Sequence, residues 1–131
     1  MSAFIPAARP LIGEEERSAV DRVLQSGMMA QGPEVAAFEN EFSTIVAGRQ
    51  CIAVNSGTSG LHMALIAAGI KQGDEVIVPS FTFAATANTV ALTGAAPVFV
   101  DIDPLTFNID PLAIEAAITP RTRAIQPVHL Y

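Results

Sequence analysis

The chain changes its hydrophobic rhythm near residue 50. Before that point apolar residues recur at helical spacing. Ala19, Val20, Val23 and Leu24 form one stripe within Glu14–Gln25, and Gly27 follows as a stop. Val35, Phe38, Phe42 and Ile45 form a second stripe. Gln31-Gly32-Pro33 opens it by placing Pro33 at a helix start, and Gly48 ends it. Beyond Gln50, short apolar runs alternate with longer helical patterns. Strands are predicted at Cys51–Val54, Glu75–Val78, Ala96–Val100 and Ala124–Val128. Helices are predicted at Ser59–Ala68, Thr82–Leu92 and Pro111–Ile118, the last with Asp110 as N-cap. The expected organisation is a helical segment over 1–48 and a βαβαβαβ run over 49–131.

Short strands alternating with helices of about ten residues mark βαβ units. The predicted strands are apolar on both faces, as in a mostly parallel sheet covered by helices on each side. Crossovers should be right-handed. Asn55-Ser56-Gly57-Thr58, Pro79-Ser80-Phe81, Asp101-Ile102-Asp103 and His129-Leu130-Tyr131 then all lie at carboxyl ends of strands. Open α/β sheets bind ligands at that end.

Charge narrows the function classes. The 131 residues carry a formal net charge of -6, which argues against binding nucleic acid through bulk charge. Val76–Val100 is 25 residues without a charge, long enough to raise a membrane span. Pro79, Pro97, Ser80, Asn88 and four threonines interrupt it, so it reads as strand, helix, strand. The first residues show no basic region and no apolar core of a secretory signal. Cys51, the single cysteine, permits no intrachain disulfide, suits a reducing compartment and reads as strand packing. A cytoplasmic protein is expected.

Three segments carry candidate chemistry. Asn55-Ser56-Gly57-Thr58-Ser59-Gly60 could hold a phosphate on the free amides of a helix start. It could equally be an ordinary capped turn. Pro79-Ser80-Phe81-Thr82-Phe83 could stack on a flat ring or bury two core phenylalanines. Asp101 and Asp103 could bind a ribose or a metal, but a turn before Pro104 is the simpler reading, and no further ligand stands near. His62 reads as a core histidine, and His129 is the better functional candidate. Met28, Met29 and Gln31 suggest a hydrophobic turn, with a substrate entry as the other reading.

Taken in order, these segments resemble the DegT/StrS family of sugar aminotransferases. The resemblance rests on Gly32-Pro33-Glu34-Val35, on Asn55-Ser56-Gly57-Thr58-Ser59-Gly60-Leu61 and on Gly73-Asp74-Glu75-Val76-Ile77-Val78-Pro79. It continues through Ser80-Phe81-Thr82-Phe83, Pro97-Val98-Phe99-Val100-Asp101-Ile102-Asp103-Pro104 and Pro127-Val128-His129-Leu130-Tyr131. It implies an α/β fold, part of an aspartate-aminotransferase-type (fold type I) large domain. It implies the cofactor pyridoxal 5'-phosphate (PLP), an amino donor such as glutamate, a nucleotide-linked keto-sugar as acceptor, and a homodimer. Gly57, Thr58 and Ser59 correspond to the turn that holds the PLP phosphate. Phe83 corresponds to the aromatic that stacks on the pyridine ring. Alanine often stands in the family where Gly60 stands here, which implies a looser helix start.

The resemblance also implies what this segment lacks. Family members are about three times as long. The acidic partner of the pyridine nitrogen and the Schiff-base lysine fall beyond Tyr131. Lys71, the single lysine, sits in the turn before a strand, at the opposite end of the sheet from the phosphate turn. No catalytic residue and no metal ligand is therefore expected within these residues. A binding module or regulatory protein that keeps the fold without PLP chemistry is the rival reading. A four-stranded piece of a larger sheet would expose an apolar edge, so the isolated chain is expected to self-associate.

Overall fold

The computed structural model describes residues 4–6 and 8–130; Tyr131 and the first three residues, including that end of the His129-Leu130-Tyr131 segment, lie outside the described residues. The chain forms two compact units, Met1–Ala53 and Val54–Tyr131.

The first unit holds α1 (Glu14–Ser26) and α2 (Pro33–Ile45). Three glutamates fill the first turn of α1, where the helix dipole favours negative charge. The Glu16 carboxylate reaches back and accepts the Gly13 amide at 2.6 Å. Gly27 closes the helix in the left-handed conformation. Pro33 opens α2 as expected. Gly32, just before it, is buried, and a Cβ there would meet the Met28 carbonyl oxygen at 3.0 Å. The stripe on α2 brings Phe38 and Phe42 together at 5.8 Å between ring centroids, yet no residue of α1 or α2 is buried.

Cys51–Val54 departs from the expected strand. It makes no ladder with any strand among the described residues, and Ile52 stays exposed. Four apolar residues supply burial tendency, but a strand also requires a hydrogen-bonding partner at the right spacing. The Ala53 amide is instead taken by the Glu39 carboxylate at 2.7 Å. Cys51 is only half-buried, and its thiol faces the Arg49 carbonyl oxygen. The expectation of a cysteine packed within a strand is corrected accordingly.

The second unit contains α3 (Gly57–Ala67), β1 (Glu75–Pro79), α4 (Ala85–Leu92), β2 (Ala96–Val100), α5 (Pro111–Ala117) and β3 (Thr122–Ile125). Among the described residues the sheet therefore has three strands rather than four. They are parallel, in the order β2-β1-β3. The connection from β1 steps to one side, and the connection from β2 returns across β1. Right-handed crossovers then place α4 and α5 on opposite faces. The 25-residue uncharged run resolves into β1, α4 and β2, as its prolines imply, and no helix among the described residues is long and apolar enough to cross a membrane.

Central β1 is buried along its whole length. Val76 and Val78 join Leu65, Ile70, Val90 and Ala95 in one cluster. Ile77, of opposite parity, is fully buried outside that cluster. Gly94 is required where the chain turns into β2. Its φ of +83° suits glycine, and a Cβ would meet Gln72 at 3.3 Å.

At the amino end of β1 the buried carboxylate of Glu75 accepts from the Thr119 hydroxyl and from Arg121 Nε at 2.8 Å. The Thr119 hydroxyl, then the Arg121 guanidinium, hold its carboxyl below the ordinary glutamate range. A lowered native value means stability that is fully present above the unfolded value and is lost as pH falls through the native one. Glu75→Gln is expected to lower the thermal midpoint at neutral pH, with the gap to wild type closing on acidification. A midpoint series from pH 7 to pH 3 checks this; a constant gap would contradict it.

Candidate functional site

The Asn55–Gly60 turn is built around its own hydroxyls. Ser56 N-caps α3 by accepting the Ser59 amide at 3.1 Å. Ser59 donates its hydroxyl to Asn55 Oδ1 at 2.7 Å and lies 3.0 Å from Ser56 Oγ. Gly60 donates its amide to the Ser56 carbonyl oxygen at 3.1 Å. Among the described residues nothing accepts the amides of Gly57 and Thr58. Those two N–H groups sit where the helix dipole favours an anion. A Cβ on Gly57 would meet nothing within 4 Å, so open space lies directly beside the turn.

That space is a cleft of about 590 Å³ at the carboxyl end of the sheet. Gly57, Thr58 and Leu61 of α3 form one side. Thr82, Phe83, Ala85 and Thr86 form the second, and Gln126 to His129 the third. Thr82 and Thr86 pair their hydroxyls at 2.9 Å. Phe83 is 79% exposed, so its ring is unspent in the core. Phe81, by contrast, packs on Phe107 with ring centroids 5.8 Å apart. The local sequence alone could not separate the two phenylalanines; the structure gives the open one to the cleft.

Of the four residues expected to contact a cofactor, Gly57, Thr58 and Phe83 share this cleft. Ser59 does not line it, and its hydroxyl proton is committed to Asn55. Gln126 is a lining residue that sequence reasoning passed over. Its amide continues the ladder to Ile77 at 2.9 Å, and its side chain reaches the Thr86 carbonyl oxygen at 3.4 Å. The available signal was a polar residue directly after an apolar strand at the ligand end. His129 lines the cleft and is exposed; His62 is half-buried on α3 and does not. Met28 and Met29 are exposed, and Gln31 takes a left-handed φ of 49°.

Asp101 and Asp103 hold turns. Asp101 Oδ1 accepts the Ile102 amide, and Asp103 Oδ1 accepts the amides of Leu105 and Thr106. Those two amides keep the Asp103 carboxyl below the ordinary aspartate range. No metal-binding group of three such residues occurs among the described residues. Lys71 lies in the turn before β1, where its amide binds the Asp74 carboxylate at 3.0 Å.

The residues fit a ring bearing a phosphate. Two unpartnered amides open toward the cleft where an anion would sit, an exposed aromatic ring lines the same cleft, and the volume admits a molecule of that size. A parallel α/β sheet with a cleft at its carboxyl end is the fold this chain shares with fold type I PLP aminotransferases, whose solved structures cover most of it. The chain belongs to the DegT/DnrJ/EryC1/StrS aminotransferase family, which it matches over residues 10–131. This family is PLP-dependent. The chain is 53% identical over 126 residues to the spore coat polysaccharide biosynthesis protein SpsC of Bacillus subtilis, covering 96% of this chain and 32% of SpsC. The putative sugar aminotransferase Spr1654 from Streptococcus pneumoniae, in its PMP form, superposes with a TM-score of 0.89 at 37% identity. That match covers 96% of this chain and 32% of Spr1654. NtdA from Bacillus subtilis, with its cofactor PMP bound, gives a TM-score of 0.82 at 46% identity, over 88% of this chain and 26% of NtdA. The chain thus spans about a third of the length of such relatives.

The cap dictates one test. Ser56→Ala should destabilise the second unit by about 0.5–2 kcal/mol, whereas Ser56→Gly should cost only a few tenths. Denaturant midpoints of the two variants check this ordering; equal losses would remove the cap role.

Proposed function

We propose that residues 1–131 are the N-terminal part of the PLP-binding large domain of a sugar-nucleotide aminotransferase. The observation that carries this reading is the meeting of the open Gly57 and Thr58 amides with the exposed Phe83 ring in one cleft. When bound, PLP supplies the electron sink through which an amino group passes from glutamate to a keto-sugar nucleotide. The chain's own residues bind and orient. Gly57 and Thr58 donate to the phosphate, and the Thr58 hydroxyl adds a donor beside them. Ser59 braces that turn from behind through Asn55. Phe83 covers one face of the pyridine ring. Gln126 and His129 supply polar groups on the facing wall.

The reactive lysine and the acidic partner of the ring nitrogen are not among these residues. Lys71 is separated from the cleft by the length of β1, about 15 Å. These 131 residues are therefore inactive without the remainder of such an enzyme. The working protein is a cytoplasmic homodimer that builds amino sugars for surface polysaccharide or antibiotic assembly. The likeness to SpsC supports the polysaccharide branch.

PLP affinity, phosphate binding and borohydride labelling test the reading. In the intact protein Thr58→Ala should weaken PLP binding about tenfold or more, the loss of a donor to a charged group. Phe83→Ala should weaken it about two- to tenfold. Unchanged affinity in both would remove the assignment. Phosphate binding at Gly57–Ser59 with no PLP binding would favour the phosphate module instead. Borohydride treatment of the 131-residue chain with PLP should leave Lys71 unmodified, read by peptide mass; selective labelling there would overturn its exclusion.

A further inference from the structure

The segment Asp101–Asp110 joins β2 to α5 as a narrow hairpin closed by one antiparallel bridge, Ile102 to Ile109. Its tip is tightly held. Besides the two amides on its carboxylate, Asp103 accepts the Phe107 amide on its carbonyl oxygen at 2.8 Å. Phe107 sits at φ 59°, a left-handed backbone that a bulky residue adopts only under constraint.

Three contacts among the described residues tie this hairpin to the loops beside the cleft. The Phe107 ring packs on Phe81, and Asp101 Oδ1 accepts the Ser80 hydroxyl at 3.3 Å. Both anchor the loop that carries Phe83. Asn108 Oδ1 accepts the Leu130 amide at 3.1 Å, which anchors the segment carrying Gln126 and His129. Asn108 is held from its other end, because its Nδ2 donates to the Thr106 carbonyl oxygen at 3.2 Å. No hairpin residue lines the cleft. None of these three contacts reaches Gly57 or Thr58, which belong to α3.

We infer that the Asp101–Asp110 hairpin, acting through Phe107 and Asn108, is a positioning element that sets the ring-binding walls of the cleft and leaves its phosphate end untouched. The inference rests on the PLP reading for its ligand, but its mechanical content does not. Asparagine suits position 108 because one planar group donates to the hairpin while accepting from Leu130. Aspartate keeps the acceptor; leucine, of similar shape, keeps neither function.

The test titrates PLP and, separately, inorganic phosphate into the intact protein. Asn108→Leu should weaken PLP about five- to tenfold while phosphate affinity stays within about twofold. Asn108→Asp should hold PLP within about twofold of wild type. Phe107→Gly removes the ring in a residue at home in the left-handed region, so it retains the backbone. It should weaken PLP about two- to tenfold, again with phosphate unchanged. Equal losses of PLP and phosphate, no loss in Asn108→Leu, or an equal loss in Asn108→Asp would each overturn the inference. Should wild type bind phosphate but not PLP, the cofactor reading fails and amide exchange decides the rest. Faster exchange from Val128 to Leu130 in Asn108→Leu, with Ser59 unchanged, supports the brace; unchanged exchange overturns it.

Discussion

A five-residue strand buried on every side governs this structure. β1 spans Glu75–Pro79, and none of its residues reaches solvent appreciably. Parallel neighbours pair with it on both sides. A strand in that position must satisfy its polar groups within the protein, since unpaired ones carry a heavy desolvation cost. Polar side chains are consequently driven to its two ends. The amino end takes a closed network of Glu75, Thr119 and Arg121. The carboxyl end opens into loops with unsatisfied amides and an exposed ring. The sheet thereby separates an end whose polar groups satisfy one another from an end whose amides and ring stay open.

Most of the fold was legible because its signals are local. Proline at 33, glycine at 27 and 69, and aspartate at 110 mark helix ends by backbone chemistry that needs no tertiary context. β1 stands out because the central strand of a parallel sheet is apolar with little interruption, and β2, at the edge of the described sheet, carries the same uninterrupted apolar run. Cys51–Val54 misled for the same reason. Its composition matches a buried strand, but composition cannot report whether a ladder partner exists. The boundaries of α4 and β3 shifted by two or three residues. At Thr82–Ala84 the chain folds as a turn that presents Phe83, where continued helical spacing was expected.

The site was legible in outline and not in detail. A glycine between hydroxyl residues at the end of an apolar run pointed to the helix start. The sequence could not say which hydroxyl faces outward, because Ser56, Thr58 and Ser59 have similar chemistry. Geometry separates them, with Ser56 and Ser59 consumed by the turn itself. Gln126 and Asn108 were illegible, since their roles depend on partners 40 and 22 residues away. Phe81 and Phe83 show how two identical side chains, two residues apart, divide between packing and an open ring face.

The pairing of β1 with β3 breaks register between Glu75 and Val76. Glu75 stands opposite Thr122, but Val76 stands opposite Ala124, so Arg123 is passed over. Arg121, just before β3, and Arg123, within it, pair with adjacent acids, Glu75 and Asp74, although they lie two apart in the chain. A slide of β3 by one residue would misalign both ion pairs at once and turn Ala124 away from the core cluster. Two weak electrostatic contacts, read jointly, thus work as a parity check on strand alignment: either acid alone tolerates some play, and the two together accept a single setting.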